Sequence, residues 1–189
     1  VLSFAANADN LAAMARRFDQ QEVKSACDAL VRQIAAAFEA HKPLNIIGIR
    51  TRGETIAERL ARCLKSQGFS AIERGVLDVT LYRDDLSEIG PRPLVRPSEL
   101  NLQIDGVPVL LVDDVLFTGR SARAAMDAMT DFGRPSVIKL AVLVDRGGRE
   151  LPIQADFVGL KLDDVPADHR VNVQLFEDDG VDAIVIEPR

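Results

Sequence analysis

The chain has 189 residues, 47% of them hydrophobic and 28% charged, which suits one globular domain with a sizeable core and excludes a disordered or fibrous chain. No apolar run reaches the ~18 residues of a membrane span, and no charged-then-apolar leader opens the chain, so a cytoplasmic protein without membrane contact is expected. A net charge of −6 and a pI of about 5.0 exclude strong indiscriminate nucleic-acid binding, while leaving room for a local basic patch.

Residues 1–18 are Ala-rich and weakly amphipathic. Asp19, with Glu22 three positions on, forms a capping box, and Val23, Ala26, Cys27, Leu30, Val31, Ile34 and Phe38 follow on one helical face. After Pro43, Leu44 to Ile49 read as a buried strand, Arg50-Thr51-Arg52-Gly53 as a loop, and Ile56 to Leu64 as a helix that Gly68 closes. A strand is expected around Val76 to Tyr82. Residues 83–106 carry charges and prolines with little periodicity, and a loop of that length is usually functional or mobile. Val107 to Val112 is the next strand, Ser121 to Phe132 a helix, and Val137 to Val144 a further strand. Strands alternating with helices imply an α/β fold with a mostly parallel sheet flanked by helices. Residues 151–189 hold short strand-like pieces and read as one appended C-terminal subdomain within a single 1–189 domain.

Cys27 and Cys63 both fall on apolar helical faces and are expected as buried, reduced thiols. His41 and His169 have no partner at ligand spacing and are expected at the surface. The motifs HExxH, GxxxxGK[ST] and GxGxxG are missing, which removes the usual support for a zinc hydrolase, a P-loop NTPase or a Rossmann dehydrogenase.

The chemistry concentrates in Val109 to Ser121. Four apolar β-formers deliver Asp113 and Asp114 to the carboxyl end of a strand, and a Thr-Gly turn then opens a helix. Ligands bind at such an edge, and a helix N-terminus there favours an anion. Two acids suit a sugar diol with a divalent metal, and Thr118, Gly119, Arg120 and Ser121 suit a phosphate monoester. Adjacent residues on an extended strand point opposite ways, so the two acids are not expected to form a carboxylate dyad unless the strand turns.

Arg50, Thr51, Arg52 and Gly53 belong on the same sheet edge and suit a polyanion such as pyrophosphate. Leu81-Tyr82-Arg83-Asp84-Asp85 forms the stem of the long loop. Polar residues there suggest a lid over a ligand, and Arg83 joins Asp113 and Asp114 as a candidate catalytic residue. Asp145-Arg146-Gly147-Gly148-Arg149-Glu150 fits either a substrate edge or a partner surface, and spacing does not choose between them.

Taken as a set, these segments resemble the type I phosphoribosyltransferases, in particular the pyrimidine operon attenuation protein/uracil phosphoribosyltransferase family. Gly48–Gly53, Leu77–Leu86, Leu111–Ser121, Gly133–Pro135 and Leu140–Ile153 carry the likeness, in the family's order. The resemblance implies a small C-terminal hood and transfer of phosphoribose from phosphoribosyl pyrophosphate to uracil, giving UMP and pyrophosphate. Asp113 and Asp114 would hold the ribose hydroxyls, and Thr118 to Ser121 the 5′-phosphate. Arg50 to Gly53 would hold the pyrophosphate with Mg²⁺, which the substrate carries and to which Asp113 or Asp114 adds a carboxylate. The base would lie near Val144, Asp145 and Phe117. An acid stands at Phe117's place in purine-salvage enzymes, so the apolar ring favours a pyrimidine. Lys24, Arg146 and Arg149 would be the RNA contacts, and a homodimer or larger homo-oligomer is implied.

Two departures bear on RNA. Gly148 stands where the family often has His, and Cys27-Asp28-Ala29-Leu30 replaces a helix carrying Thr and Arg. A third, Gly159-Leu-Lys-Leu-Asp-Asp in place of a Lys-Asn-containing run, bears on the hood contacts. Each lost cation removes roughly one phosphate contact. Besides the transferase, an RNA-binding attenuator or nucleotide sensor, a regulator acting through protein contacts, and a purine or orotate transferase remain as alternatives.

Overall fold

Strands buried on both faces need cover on both sides, and the computed structural model of residues 16–82 and 98–189 supplies it. Five parallel strands lie in the order β3-β2-β4-β5-β6, where β2 is Leu44–Ile49, β3 Ile72–Leu77, β4 Val109–Leu116, β5 Ile138–Asp145 and β6 Phe157–Lys161. Helices α1 (Gln20–Ala37) and α2 (Arg52–Ser66) pack Leu30, Ile34, Ile56 and Leu60 against Ile46, Leu110, Val112 and Leu143. The alternate strand residues Ile47, Leu111 and Val142 face Ala124, Ala125 and Met129 of α3 (Arg120–Met129) on the other side. The period of two thus divides one sheet between two cores.

Local chemistry sets the boundaries. In the capping box of α1 the Asp19 carboxylate accepts the Glu22 N–H at 3.0 Å, and Glu22 accepts the Asp19 N–H at 2.8 Å. The strand expected at 76–82 lies earlier, at Ile72–Leu77. The chain leaves the sheet there because Asp78 accepts the Thr80 N–H at 2.8 Å, an Asx turn that starts a 3₁₀ turn over Thr80–Tyr82. Of the long loop, 83–97, with Arg83, lies outside the described residues. Residues 98–106 are held rather than loose: Glu99 bridges Val76, and Ile104 is buried.

The segment after residue 150 divides between two sheets, which corrects the single appended subdomain. Phe157–Lys161 adds β6 to the parallel sheet, because Phe157 buries its ring under α1. Only β7 (His169–Gln174), α4 (Phe176–Asp179) and β8 (Ala183–Pro188) form the hood. Their antiparallel sheet, ordered β1-β8-β7, also takes β1 (Arg16–Phe18), an element the Ala-rich opening gave no sign of.

Cys27 is half-buried, with its thiol pushed up to about 11 by burial, whereas Cys63 is exposed, because its position on α2 lies beside the apolar face. His169 is also not a surface group: its side chain is 17% exposed and shares a 2.8 Å hydrogen bond with Asp168. Among the described residues no helix is long and apolar enough to cross a membrane.

Candidate active site

The strand order creates the site. The chain steps outward from β2 to β3, returns to β4, and continues outward through β5 and β6. Beyond the carboxyl ends of β2 and β4 the crossovers diverge, and in open parallel sheets that crevice holds the ligand. Both sequence constellations open into it.

On the β2 side, the Arg50–Thr51 turn contains a cis peptide bond and leads straight into α2. Gly53 lets the helix start close to β4: a Cβ there would lie 2.4 Å from the Val112 carbonyl oxygen and 3.2 Å from the Asp113 Cα. Thr51 and Arg52 are thereby set beside the acids. Burial raises the Asp114 carboxyl and the Arg52 guanidinium partly opposes that rise by its charge, while it donates to Asp179 of α4 at 3.2 and 2.9 Å. Arg50 turns away, toward Glu99 at 3.2 Å and Glu54 at 3.9 Å.

On the β4 side the strand runs in register with β5 through Leu116, carrying both acids. Asp113 nonetheless folds back, accepting the Asp114 N–H at 3.0 Å, while Asp114 accepts the Val115 N–H at 2.8 Å. Burial is the leading influence on Asp114 and raises it above the usual carboxylate range. The Val115 N–H, the Asp113 side chain and Arg52 act against that rise.

The turn after β4 is built for an anion. Gly119 adopts φ 93°, a left-handed conformation that only glycine takes without strain, and brings no capping side chain to α3. The Thr118 hydroxyl accepts the Arg120 N–H at 3.3 Å, and a helix N-terminus at this turn favours an anion. The Thr118 carbonyl accepts the N–H groups of Glu150 and Leu151 at 3.0 and 3.1 Å, so the segment after β5 backs the loop. Arg120 pairs with Glu150 at 2.8 Å.

Of the residues assigned to base and RNA, Val144, Arg146 and Arg149 are placed differently from expectation. Phe117 lies under the Arg146 guanidinium, 4.1 Å from ring centroid to Cζ, with Arg189 at 5.2 Å. Its ring also fills the space a side chain at Gly148 would need, at 2.4 Å from an added Cβ. Val144 is fully buried in the α1-side core, and its side chain cannot meet a base. Asp145 is engaged by the Gly147 N–H at 2.9 Å and by Arg149 at 2.6 Å.

Arg146 and Arg149 turn inward, which corrects their reading as RNA contacts. Arg146 is 6% exposed and donates to the carbonyls of His169 and Pro166 at 2.7 and 3.2 Å, joining the hood to the site. Arg149 donates to the carbonyls of Ile153 and Phe117, each at 2.9 Å, beside its bond to Asp145. Lys24 is exposed but paired with Asp28 at 2.8 Å. The residue that sequence reasoning missed is Asp179. An acidic Glu177-Asp178-Asp179 run in a far C-terminal segment gave no signal that one of its carboxylates reaches the β2 loop.

A parallel sheet whose crevice gathers two acids, a glycine turn into a helix N-terminus and an Arg-Gly turn has the fold of a type I phosphoribosyltransferase. The family model described as phosphoribosyl transferase domain matches residues 17–179. The bifunctional protein PyrR of Desulfosudis oleivorans is 50% identical over 169 residues, 89% of this chain and 93% of that protein. The bifunctional protein PyrR of Chloroflexus aurantiacus is 49% identical over 165 residues, 87% of this chain and 90% of that protein. Among solved structures, the hypoxanthine phosphoribosyltransferase of Trypanosoma cruzi shares the fold, with a TM-score of 0.65 at 21% identity, covering 91% of this chain and 95% of that one. The chain belongs to the phosphoribosyl transferase domain family, among the proteins named bifunctional protein PyrR.

Proposed function

We propose that the protein transfers phosphoribose from phosphoribosyl pyrophosphate to uracil, releasing pyrophosphate. The observation that carries the choice of base is Phe117. Its apolar ring stands three positions after Asp114 and can neither take nor give the ring proton of a purine. Asp113 and Asp114 would bind the ribose hydroxyls, and the first turn of α3 the 5′-phosphate. Thr51, Arg52 and Gly53 would bind the pyrophosphate.

In the reaction the bond from C1′ to the pyrophosphate oxygen breaks and a bond from C1′ to uracil N1 forms, with loss of the N1 proton. No protein nucleophile is needed, and positioning with charge stabilisation lowers the barrier. On this reading the half-buried acids would lie beside the ribose as positive charge develops on it.

Among the described residues no cluster of three or more His, Cys, Asp or Glu could cage a metal. Two carboxylates beside a phosphate site still fit Mg²⁺, which keeps most of its waters and binds through one or two carboxylates and substrate phosphates. When bound it would neutralise pyrophosphate charge, with Asp113 or Asp114 as its protein contact. A cytoplasmic location and homo-oligomeric assembly belong to the same reading and rest on the family resemblance.

The name bifunctional points to a second activity in the relatives. In this chain the inward turn of Arg146 and Arg149 and the Lys24–Asp28 pair favour a transferase that does not bind RNA through those residues. The test is uracil-dependent pyrophosphate release with Mg²⁺ and phosphoribosyl pyrophosphate. Activity in the wild type that disappears in Asp114→Asn supports the reading, and an inactive wild type that still binds UMP overturns it in favour of a nucleotide sensor.

A further inference from the structure

The contact between Arg52 and Asp179 joins elements 127 residues apart, and it falls on the guanidinium assigned to pyrophosphate. Asp179 is not a loose surface acid. Its Oδ2 also accepts the Leu175 N–H at 2.9 Å, and this second bond fixes the carboxylate at the start of α4. The pair is bidentate and mostly shielded, with side chains 31% and 22% exposed. Neighbouring contacts stitch α2 to the hood without using Arg52: Thr55 donates to Asp178 at 2.7 Å, and Arg59 donates to Glu177 and Asp182. Removing the Arg52–Asp179 pair therefore leaves the hood attached.

A guanidinium carries five N–H donors, and each of its edges takes one planar or tetrahedral anion in a bidentate way. Its Nε and Nη2 are the two nitrogens committed to Asp179, so a bidentate phosphate on the same edge must displace the carboxylate. We propose that Asp179 is a positioning residue that parks Arg52 against the hood. On this proposal pyrophosphate and phosphoribosyl pyrophosphate bind by exchanging one anion for another, and the exchange sets their affinity rather than the rate of bond breaking. This rests on the reading of Arg52 as a pyrophosphate ligand, and the variants separate the two ideas. The low carboxyl value of Asp179, held down by Arg52 and the Leu175 N–H, fits a stable parked state.

The experiment is calorimetric titration of the full chain with Mg²⁺-pyrophosphate, together with steady-state kinetics in phosphoribosyl pyrophosphate. Asp179→Asn keeps an acceptor for Leu175 but loses the charge. It is expected to bind Mg²⁺-pyrophosphate about fivefold tighter and to lower KM by a similar factor, with kcat within about twofold, the size of effect a partly exposed bidentate pair supports. Asp179→Glu restores wild-type affinity, and Thr55→Val, which cuts a neighbouring hood contact, changes nothing. Asp179→Ser provides the same test if the Asn variant does not fold. Equal or weaker pyrophosphate binding in both neutral variants overturns the parking role. If Arg52→Ala leaves pyrophosphate affinity at the wild-type value, the assignment of Arg52 falls, and the proposal with it. A transferase without uracil activity would still report on the latch through the calorimetry.

Discussion

Gly53 is the position where fold and site are most directly coupled, and Gly53→Ala tests that coupling. An added methyl would sit 2.4 Å from the Val112 carbonyl oxygen and 3.2 Å from both the Val112 carbonyl carbon and the Asp113 Cα. All three are backbone atoms of β4, fixed by the ladders to β2 and β5, so no side chain can swing aside. Restoring an ordinary contact of roughly 3.4 Å or more requires α2 to retreat by about 1 Å. Overpacking of this kind costs about 2–3 kcal/mol, and the better helix propensity of Ala returns up to ~1 kcal/mol. A net loss of about 2 kcal/mol lowers Tm by about 4–8 °C in a chain of this size. The functional loss is expected to be larger. Thr51 and Arg52 ride on the displaced turn, and a misplacement of about 1 Å can cost roughly 100-fold in rate. Scanning calorimetry gives the first number, and kcat/KM for phosphoribosyl pyrophosphate gives the second. A variant with wild-type Tm and wild-type kcat/KM would refute the claim that close approach of α2 to β4 builds the site.

The raised Asp114 carboxyl means that the folded protein holds this proton more tightly than the unfolded chain does, so stability is lost as pH rises from the ordinary carboxylate range through the raised value. Asp114→Asn removes that loss: it is expected to melt above wild type near neutral pH, to match it in acid, and to have no transferase activity. An equal or lower melting temperature near neutrality contradicts the burial argument. Arg149→Met leaves Asp145 as a buried, unpaired acid and is expected to cost about 3 kcal/mol in urea unfolding, with Asp145→Asn in the same chain recovering part. Additive losses would show that the pair is not coupled. Phe117→Asp replaces the ring under Arg146 with an acid, and competition assays should show uracil use falling relative to hypoxanthine. An unchanged preference between the bases dissociates Phe117 from base choice. RNA retained on filters at low salt should be weak and should not change in Arg149→Met; strong retention with a steep salt slope counts against the inward reading.

The parallel sheet was legible because β2, β4 and β5 are nearly continuous apolar runs, and two buried faces leave no other pattern. The candidate site was legible for a related reason. A strand end, two acids and a Gly turn into a helix are local in sequence, and Gly119 does take the left-handed conformation such a turn needs. What could not be read is long-range. Hydrophobic period identifies a buried face but not the partner that buries it, so the short strand-like pieces beginning at Phe157 and Ala183 looked alike and joined different sheets. Cys63 fell outside because a helical wheel resolves a face only to about one residue. That Asp113 and Asp114 each accept the N–H of the following residue depends on side chains bending along their own strand, which alternation alone does not describe.

Arginine shows the same limit most sharply. Arg50, Arg52, Arg120 and Arg149 all read in sequence as cations for polyanions, and in the structure each pairs with a carboxylate, at Glu99, Asp179, Glu150 and Asp145. What separates them is the cost of changing partner. Arg120 and Glu150 are about half exposed, so solvent screens both states and a phosphate can replace the carboxylate with little penalty. Arg149 and Asp145 are 15% and 10% exposed, and parting them would strand a charge in the interior. Arg52 lies between these limits, shielded enough for its pair to matter and open enough to exchange it. A cation that swaps one anion for another releases few counterions, so substrate affinity in this site should depend on salt much less than a basic nucleic-acid surface does. An acidic protein can thus bind a highly charged substrate without carrying a basic face: the carboxylates that hold its arginines ready also cancel their field at a distance.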